Sequence, residues 1–314
     1  MGLSPRKVAL IGECMLEFKG QAFGAMHQGF GGDSLNTAVY LSRCGLGRSI
    51  SVSYATGLGE DRWSDALMQQ WASEGVGLDL VRRVPGRMPG LYLIEVDAKG
   101  ERNFSYWRDT SAAKAYFETV QTPLEASLDA WDALYVSGIS LAILPPAGRE
   151  RLFAAMQAAR ARGALVVFDN NYRPRLWADL KQAQECFARA FSVANVALVT
   201  ADDHQALHAM GHLDEAVAHA RNLPCDDLVI KRGASPTLVR SAQSGWQEAA
   251  TQVVEHVVDT TAAGDSFAAG YLSRRLSGAT ALEAAQFGNR LAARVIQHTG
   301  AIIPLAAMQD LLSS

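Results

Sequence analysis

The sequence predicts an α/β fold with a mostly parallel sheet covered by helices on both faces. Short apolar, strand-like runs alternate with amphipathic helical stretches along most of the chain, the pattern of repeated βαβ units. Its 314 residues, 49% of them apolar, suffice for one large domain or two modest ones. Neither a low-complexity linker nor an internal repeat interrupts the alternation, so one domain over 1–314 is expected.

Lys7–Gly12 reads as a buried first strand, entered from Met1 without the charged and apolar regions of a signal peptide. Ser34–Cys44 reads as a helix capped by Asp33, Ile50–Thr56 as a strand, and Asp61–Glu74 as a helix stopped by Gly75. Further along come a strand at Leu134–Ser137, a helix at Ala147–Arg162 and a strand at Ala164–Asp169. A helix at Leu180–Ser192, a strand at Val196–Thr200, a helix at Leu213–Leu223 and a strand at Asp227–Lys231 continue the series. Val253–Val258 looks like another strand, and Ala281–Thr299 a helical run.

Two regions break the rhythm. Cys14–Phe30 is glycine-punctuated and strand-like, and Gly90–Trp107 reads as a hairpin turning at Asp97–Gly100. Together, over about 13–30 and 88–110, they can form a small β-sheet lid above the strand ends, or an ordinary extension of the sheet edge.

Charge and cysteine usage exclude several function classes. A net charge of −3 without a basic run argues against nucleic acid. Cys14, Cys44, Cys186 and Cys225 are far apart, which predicts reduced, mostly buried thiols in a cytoplasmic protein and no cysteine-bound metal. No segment supplies the ~18 apolar residues of a membrane span. The first strand runs into Gly12-Glu13-Cys14 rather than GxGxxG, against a nicotinamide oxidoreductase.

Chemistry concentrates between the elements. In Asp259-Thr260-Thr261-Ala262-Ala263-Gly264-Asp265, small residues meet an acid at a helix start. The open N–H groups and the positive end of the dipole would hold a phosphate there. Asp265 does not help to bind an anion; it is either a base for an attacking hydroxyl or a helix cap. Gly31, Gly32, Asp33 and Asn36 form a second junction, suited to a polyhydroxylated ligand or to a capped turn. Tyr106 and Arg108 share one strand face, with Tyr92 on the partner strand. Arginine there can grip a carboxylate with two parallel bonds, or the face can be merely solvated. After the strand ending at Asp169, Asn171 and Arg173 are the functional candidates, and Arg175 is either another such residue or a structural ion-pair partner. Thr200-Ala201-Asp202-Asp203 offers either water-mediated contact to Mg²⁺ or a cap at Asp202. Lys231 to Pro236, through Gly233, wraps a nucleotide phosphate or turns a hairpin.

These motifs resemble the ribokinase-like (PfkB) carbohydrate kinases over nearly the whole chain. Gly31-Gly32 followed by Asn36 matches the family's N-terminal glycine pair, and Asp259 to Asp265 matches its DTxGAGD signature. Gly12-Glu13-Cys14-Met15, Tyr106-Trp107-Arg108 and the stretch from Asp169 to Trp177 are similar to the branch acting on 2-keto-3-deoxy sugar acids. The resemblance implies a three-layer αβα sandwich with a β-lid and ATP-dependent phosphorylation of the C6 hydroxyl. Asp265 would be the base, and the amides of Ala262, Ala263 and Gly264 the anion hole. Gly31, Gly32, Asp33, Asn36, Tyr92, Tyr106, Arg108 and Arg173 would hold the sugar acid. ATP would lie along Asn171, Arg173, Thr200, Lys231, Gly233, Pro236 and Asn289 as well as the anion hole. Mg²⁺ would arrive with ATP, with Asp203 in its outer shell, and a monovalent cation (K⁺) is implied near Asp259. Separately from the resemblance, a lid with exposed strands and apolar side chains is suited to pair with its twin in a homo-oligomer. Ala262 stands where the signature has glycine, and the family's NxxE element reads Thr200-x-x-Asp203.

Overall fold

A computed structural model of the chain describes residues 6–21, 23–96 and 102–312. In chain order its strands are β1 (Arg6–Ile11), β2 (Met15–Gly20), β3 (Met26–Gly31), β4 (Ile50–Leu58), β5 (Val76–Gly77), β6 (Val81–Arg83) and β7 (Gly90–Val96). They continue with β8 (Arg102–Trp107), β9 (Ala133–Ser137), β10 (Leu165–Asp169), β11 (Val196–Thr200), β12 (Asp227–Arg232), β13 (Ser235–Ser241) and β14 (Ser244–Ala249). Ten strands form one sheet in the order β14-β13-β12-β11-β10-β9-β1-β4-β5, with β6 paired to β4. Its pairings are parallel except where β13 meets β12 and β14.

Strand periodicity sorts the core onto two faces. Ala9, Ile11, Val166, Phe168, Ala197 and Val199 point to one side, packing with residues of helices Pro146–Ala161 and Leu180–Val193. Val8, Leu10, Val167, Val196 and Leu198 point to the other, beneath Asp33–Gly45, Ala263–Leu276 and Ala281–Val295. Each fully buried Leu, Ile or Phe contributes roughly 1.5–3 kcal/mol, so the alternation holds three layers together: the expected αβα sandwich.

Local chemistry sets the helix ends. Asp61 caps helix Arg62–Ser73 by accepting from the Trp63 and Ser64 amides, at 2.9 and 3.0 Å. Gly75, at φ 75°, follows it in the left-handed region that glycine tolerates. Asp33 is not a cap: Gly32 is the N-cap of Asp33–Gly45, and Asp33 is its first helical residue. Asp202 does not cap Ala201–Leu207 either, because the N-cap is Thr200 and Asp202 lies exposed in the first turn. The helix expected over Ala281–Thr299 ends at Val295.

Val253–Val258 is not a strand. Val253 is 93% exposed, and Val257 and Val258 are each 53% exposed. The run pairs with no strand among the described residues; at its end Val258 and Asp259 donate their amides to the Ile296 carbonyl. The lid segments form a separate four-stranded sheet in the order β3-β2-β7-β8. The turn expected at Asp97–Gly100 lies outside the described residues. Among the described residues no helix is long and apolar enough to cross a membrane.

Candidate active site

From β1 the chain crosses to β4 on one side, whereas β9 to β12 fill the other. The strand order therefore switches between β1 and β9, where α/β sheets open a crevice at their carboxyl ends. Glu13, Ser137, Asn171, Thr200 and Lys231 all lie at or just beyond such ends. Two helix starts from one outer layer, carrying Asp33 with Asn36 and Asp265, complete the ring.

Asp265 is the third residue of helix Ala263–Leu276 and is buried. The N-cap is Ala262 and no side chain caps the helix, which removes the alternative of Asp265 as a cap. Asn36 Nδ2 donates to Asp265 Oδ2 at 2.8 Å, tying the two helix starts together. Burial pushes the Asp265 carboxyl up to about 8; the charges of Asp33 and Asp169 push the same way, while the Asn36 amide and Lys231 oppose them. A carboxyl poised there suits a general base near neutral pH.

The Ala262 and Gly264 N–H groups have no protein acceptor among the described residues, whereas Ala263 N–H bonds the Thr260 carbonyl at 3.2 Å. The expected three-amide hole is thus open at two positions. Ala262 sits at φ 60°, ψ 15°, in the left-handed conformation that the signature's glycine would adopt freely.

Lys231 is buried, with Nζ 3.2 and 3.3 Å from the Asp169 carboxylate oxygens. A methyl group on Gly264 would come within 3.6 Å of that ammonium, so the lysine stands at the open helix end. Asp169 is completely buried, which raises its carboxyl pKa although Lys231 opposes the shift. Sequence reasoning missed Asp169; its signal was a charged residue closing an apolar strand.

Asp33 accepts from the Ser137 hydroxyl and from Asn171 Nδ2, the latter at 3.2 Å. Asn171 thus sits against Asp33 and Ser137. Thr200 is clamped through its backbone by Asn170, with bonds of 2.8 and 3.1 Å. Asp203 accepts from the Tyr172 amide at 3.2 Å and from Arg173 Nη1 at 3.0 Å.

In the lid, Tyr92 pairs across the ladder with Tyr106, ring centroids 5.9 Å apart, and its hydroxyl donates to Glu17 Oε2 at 2.5 Å. A methyl on Gly32 would meet the Glu13 carbonyl at 2.1 Å, so that position has no room for a side chain, while one on Gly31 would meet the Tyr92 hydroxyl at 2.7 Å and require it to shift. Arg108 forms an ion pair with Glu13, whose side chain is 1% exposed. Glu13 was quoted in a motif but not recognised as its partner. Glu13 Oε1 and Arg108 Nε remain buried without hydrogen-bond partners among the described residues. Glu13, Asp33, Tyr106, Arg108, Arg173 and Arg175 line a cleft of about 640 Å³. Of the two readings of Arg175, the structure favours the cleft: it lines that space and forms no ion pair among the described residues.

Lys231 to Pro236 is a hairpin. Gly233 takes φ 58° in its turn, and Arg232 donates to the Pro236 carbonyl at 2.6 and 2.8 Å. The Asn289 amide is engaged with Thr237, Ala249 and Ala250 and fastens this hairpin to the loop after β14. Asp259 binds Thr261 with one oxygen and the Gly300 amide with the other.

An open helix start for a phosphate, with a buried carboxylate two residues inside it, is the arrangement that phosphoryl transfer to an alcohol requires. The pfkB family carbohydrate kinase model matches residues 5–308, and the chain belongs to that family. It is 44% identical over 306 residues to a 2-dehydro-3-deoxygluconokinase of Escherichia coli (strain K12), covering 96% of this chain and 99% of that one. A protein of the same name from Dickeya dadantii is 44% identical over 309 residues, covering 98% and 99%. Aminoimidazole riboside kinase from Salmonella enterica, solved with aminoimidazole riboside and an ATP analog, superposes with a TM-score of 0.80 at 25% identity, covering 98% of this chain and all of that one.

Proposed function

We propose that this kinase transfers the γ-phosphoryl group of ATP to O6 of 2-keto-3-deoxygluconate, giving 2-keto-3-deoxy-6-phosphogluconate and ADP. The observation that carries the sugar-acid reading is a pair of arginines, Arg108 and Arg173, on the cleft that also contains Asp33. A neutral sugar would need no such cations, whereas a keto acid brings a carboxylate for them to grip. The full-length relatives bearing the 2-dehydro-3-deoxygluconokinase name support the same substrate.

In this reading Asp265 takes the proton of the C6 hydroxyl as its oxygen bonds to the γ-phosphorus, and the bond to the β–γ bridging oxygen breaks, the electron pair leaving with ADP. Charge on the transferring group meets the Ala262 and Gly264 amides, the helix dipole and the Lys231 ammonium. Asn36 orients Asp265 through its 2.8 Å bond. The nearby carboxylates already have donors, Asp169 from Lys231 and Asp203 from Tyr172 and Arg173. Mg²⁺ fits as an ion carried by ATP phosphates and water, with Asp203 placed for an outer-shell contact through water; it would neutralise the phosphates. A K⁺ ion near Asp259 would meet a carboxylate that already accepts from Thr261 and from the Gly300 amide, and no step is drawn through one. The open-edged lid, with Phe104, Tyr106 and Trp107 exposed, supports a homodimer through that sheet; a monomer by light scattering would overturn this part.

A coupled ADP-release assay across 2-keto-3-deoxygluconate, gluconate, fructose and ribose tests the substrate. The keto acid is expected to be turned over with the highest kcat/KM. Equal or faster turnover of a neutral sugar would sink the proposal.

A further inference from the structure

Three histidines stand together outside the cleft. His204 lies on helix Ala201–Leu207, His208 is the residue that ends it, and His219 sits on helix Leu213–Ala220. The four-residue spacing puts His204 and His208 on one helix face. His219 approaches from the neighbouring helix, with Nδ1 2.9 Å from His204 Nε2. Ring centroids are 4.5 Å apart for His204–His208 and His208–His219, and 5.1 Å for His204–His219. One nitrogen from each ring lies within 4.8 Å of the others.

The geometry points to a binding site for a late first-row divalent cation, Zn²⁺ or Ni²⁺, held by His204, His208 and His219. Imidazoles around tetrahedral zinc, with bonds of ~2.0–2.1 Å, place their nitrogens about 3.3 Å apart. The His204–His219 separation is already near that value, and His208 needs only a side-chain adjustment. An all-imidazole set suits zinc, nickel and copper and disfavours Mg²⁺ and Ca²⁺, which seek oxygen.

The environment argues the same way. His204 is wholly buried, and its Nδ1 has no hydrogen-bond partner among the described residues. His208 is half-buried and His219 exposed, so an ion can enter from solvent and keep a coordination position open. His204 and His219 already share a hydrogen bond, and a cation bound by all three rings would draw His208 into the same cluster.

The test is a Zn²⁺ titration of tag-free protein by calorimetry, with bound zinc counted by elemental analysis, repeated on His208→Ala/His219→Ala. Neither substituted side chain is deeply buried, so the variant is expected to fold, as circular dichroism would verify. One zinc per chain is expected in the parent, with affinity at least tenfold weaker in the variant and a zinc-dependent rise in Tm seen only in the parent. A parent that binds no stoichiometric zinc, or a variant that binds it equally well, overturns the proposal. The same titration with Mg²⁺ should show no binding at these histidines.

Discussion

The phosphate end of the candidate site, at the helix start of Asp265, and its lid end use ionisable groups in opposite ways. At the phosphate end Asp265, Asn36, Lys231 and Asp169 are all buried and interlocked on helices and strands of the three-layer body. At the lid end Tyr106 is 50% exposed, and Arg108 reaches down from a four-stranded sheet to meet Glu13. On the proposed reading, chemistry common to every phosphoryl acceptor would be built on rigid elements, whereas recognition of one acceptor would hang on a separate small sheet. Perturbing the first region should therefore cost stability or turnover, and perturbing the second should cost substrate affinity.

Lys231→Met is the harshest way to break that contrast. It leaves the Asp169 carboxylate buried without its cation, a loss of about 3–5 kcal/mol, read as a lower urea midpoint. Lys231→Met/Asp169→Asn should recover much of that stability and none of the activity. If the single variant is as stable as the parent, the phosphate end is not the interlocked unit described.

Arg108→Ala, made with Glu13→Gln so that no bare carboxylate is left in the lid, should raise KM for the keto acid roughly tenfold or more. That is the range for a hydrogen bond to a charged group. The kcat value should change little. An unchanged KM would remove the lid arginine from substrate recognition.

Ala262→Gly is the mildest change. An L-residue in the left-handed region costs about 1 kcal/mol, partly offset by the freer unfolded glycine chain, so a gain of a few tenths to about 1 kcal/mol is expected. Thermal melts check it. A loss of stability would mean that the Ala262 methyl group is held by packing that outweighs its backbone strain.

The same contrast governs what could be read in advance. The alternating strands and helices were legible because each obeys its own hydrophobic period, and the helix start at Ala262–Asp265 because small residues before an acid have few other uses. The partners were not. Asp169 and Lys231 are 62 positions apart, and Glu13 and Arg108 are 95 apart; only the sheet order brings each pair together. Val253–Val258 misled because apolar character alone does not make a strand: the run must also pair with a neighbour, and here its end bonds the Ile296 carbonyl instead. The histidine cluster escaped notice because its third member comes from a second helix.

Asp265→Asn tests the central claim most directly, because it keeps the side chain's size and removes the base. Turnover of 2-keto-3-deoxygluconate should fall roughly 10²-fold or more, while the dissociation constants for ATP and the keto acid stay within a few-fold. Thermal melts across pH give the supporting sign. The native Asp265 carboxyl, raised to about 8, holds a proton that the unfolded chain releases near the ordinary carboxylate value. Parent stability from this group therefore falls as pH rises through that window, and the variant should lose this part of the slope. Near-parental kcat in Asp265→Asn would contradict the account, leaving Asp265 a buried structural acid and the base elsewhere.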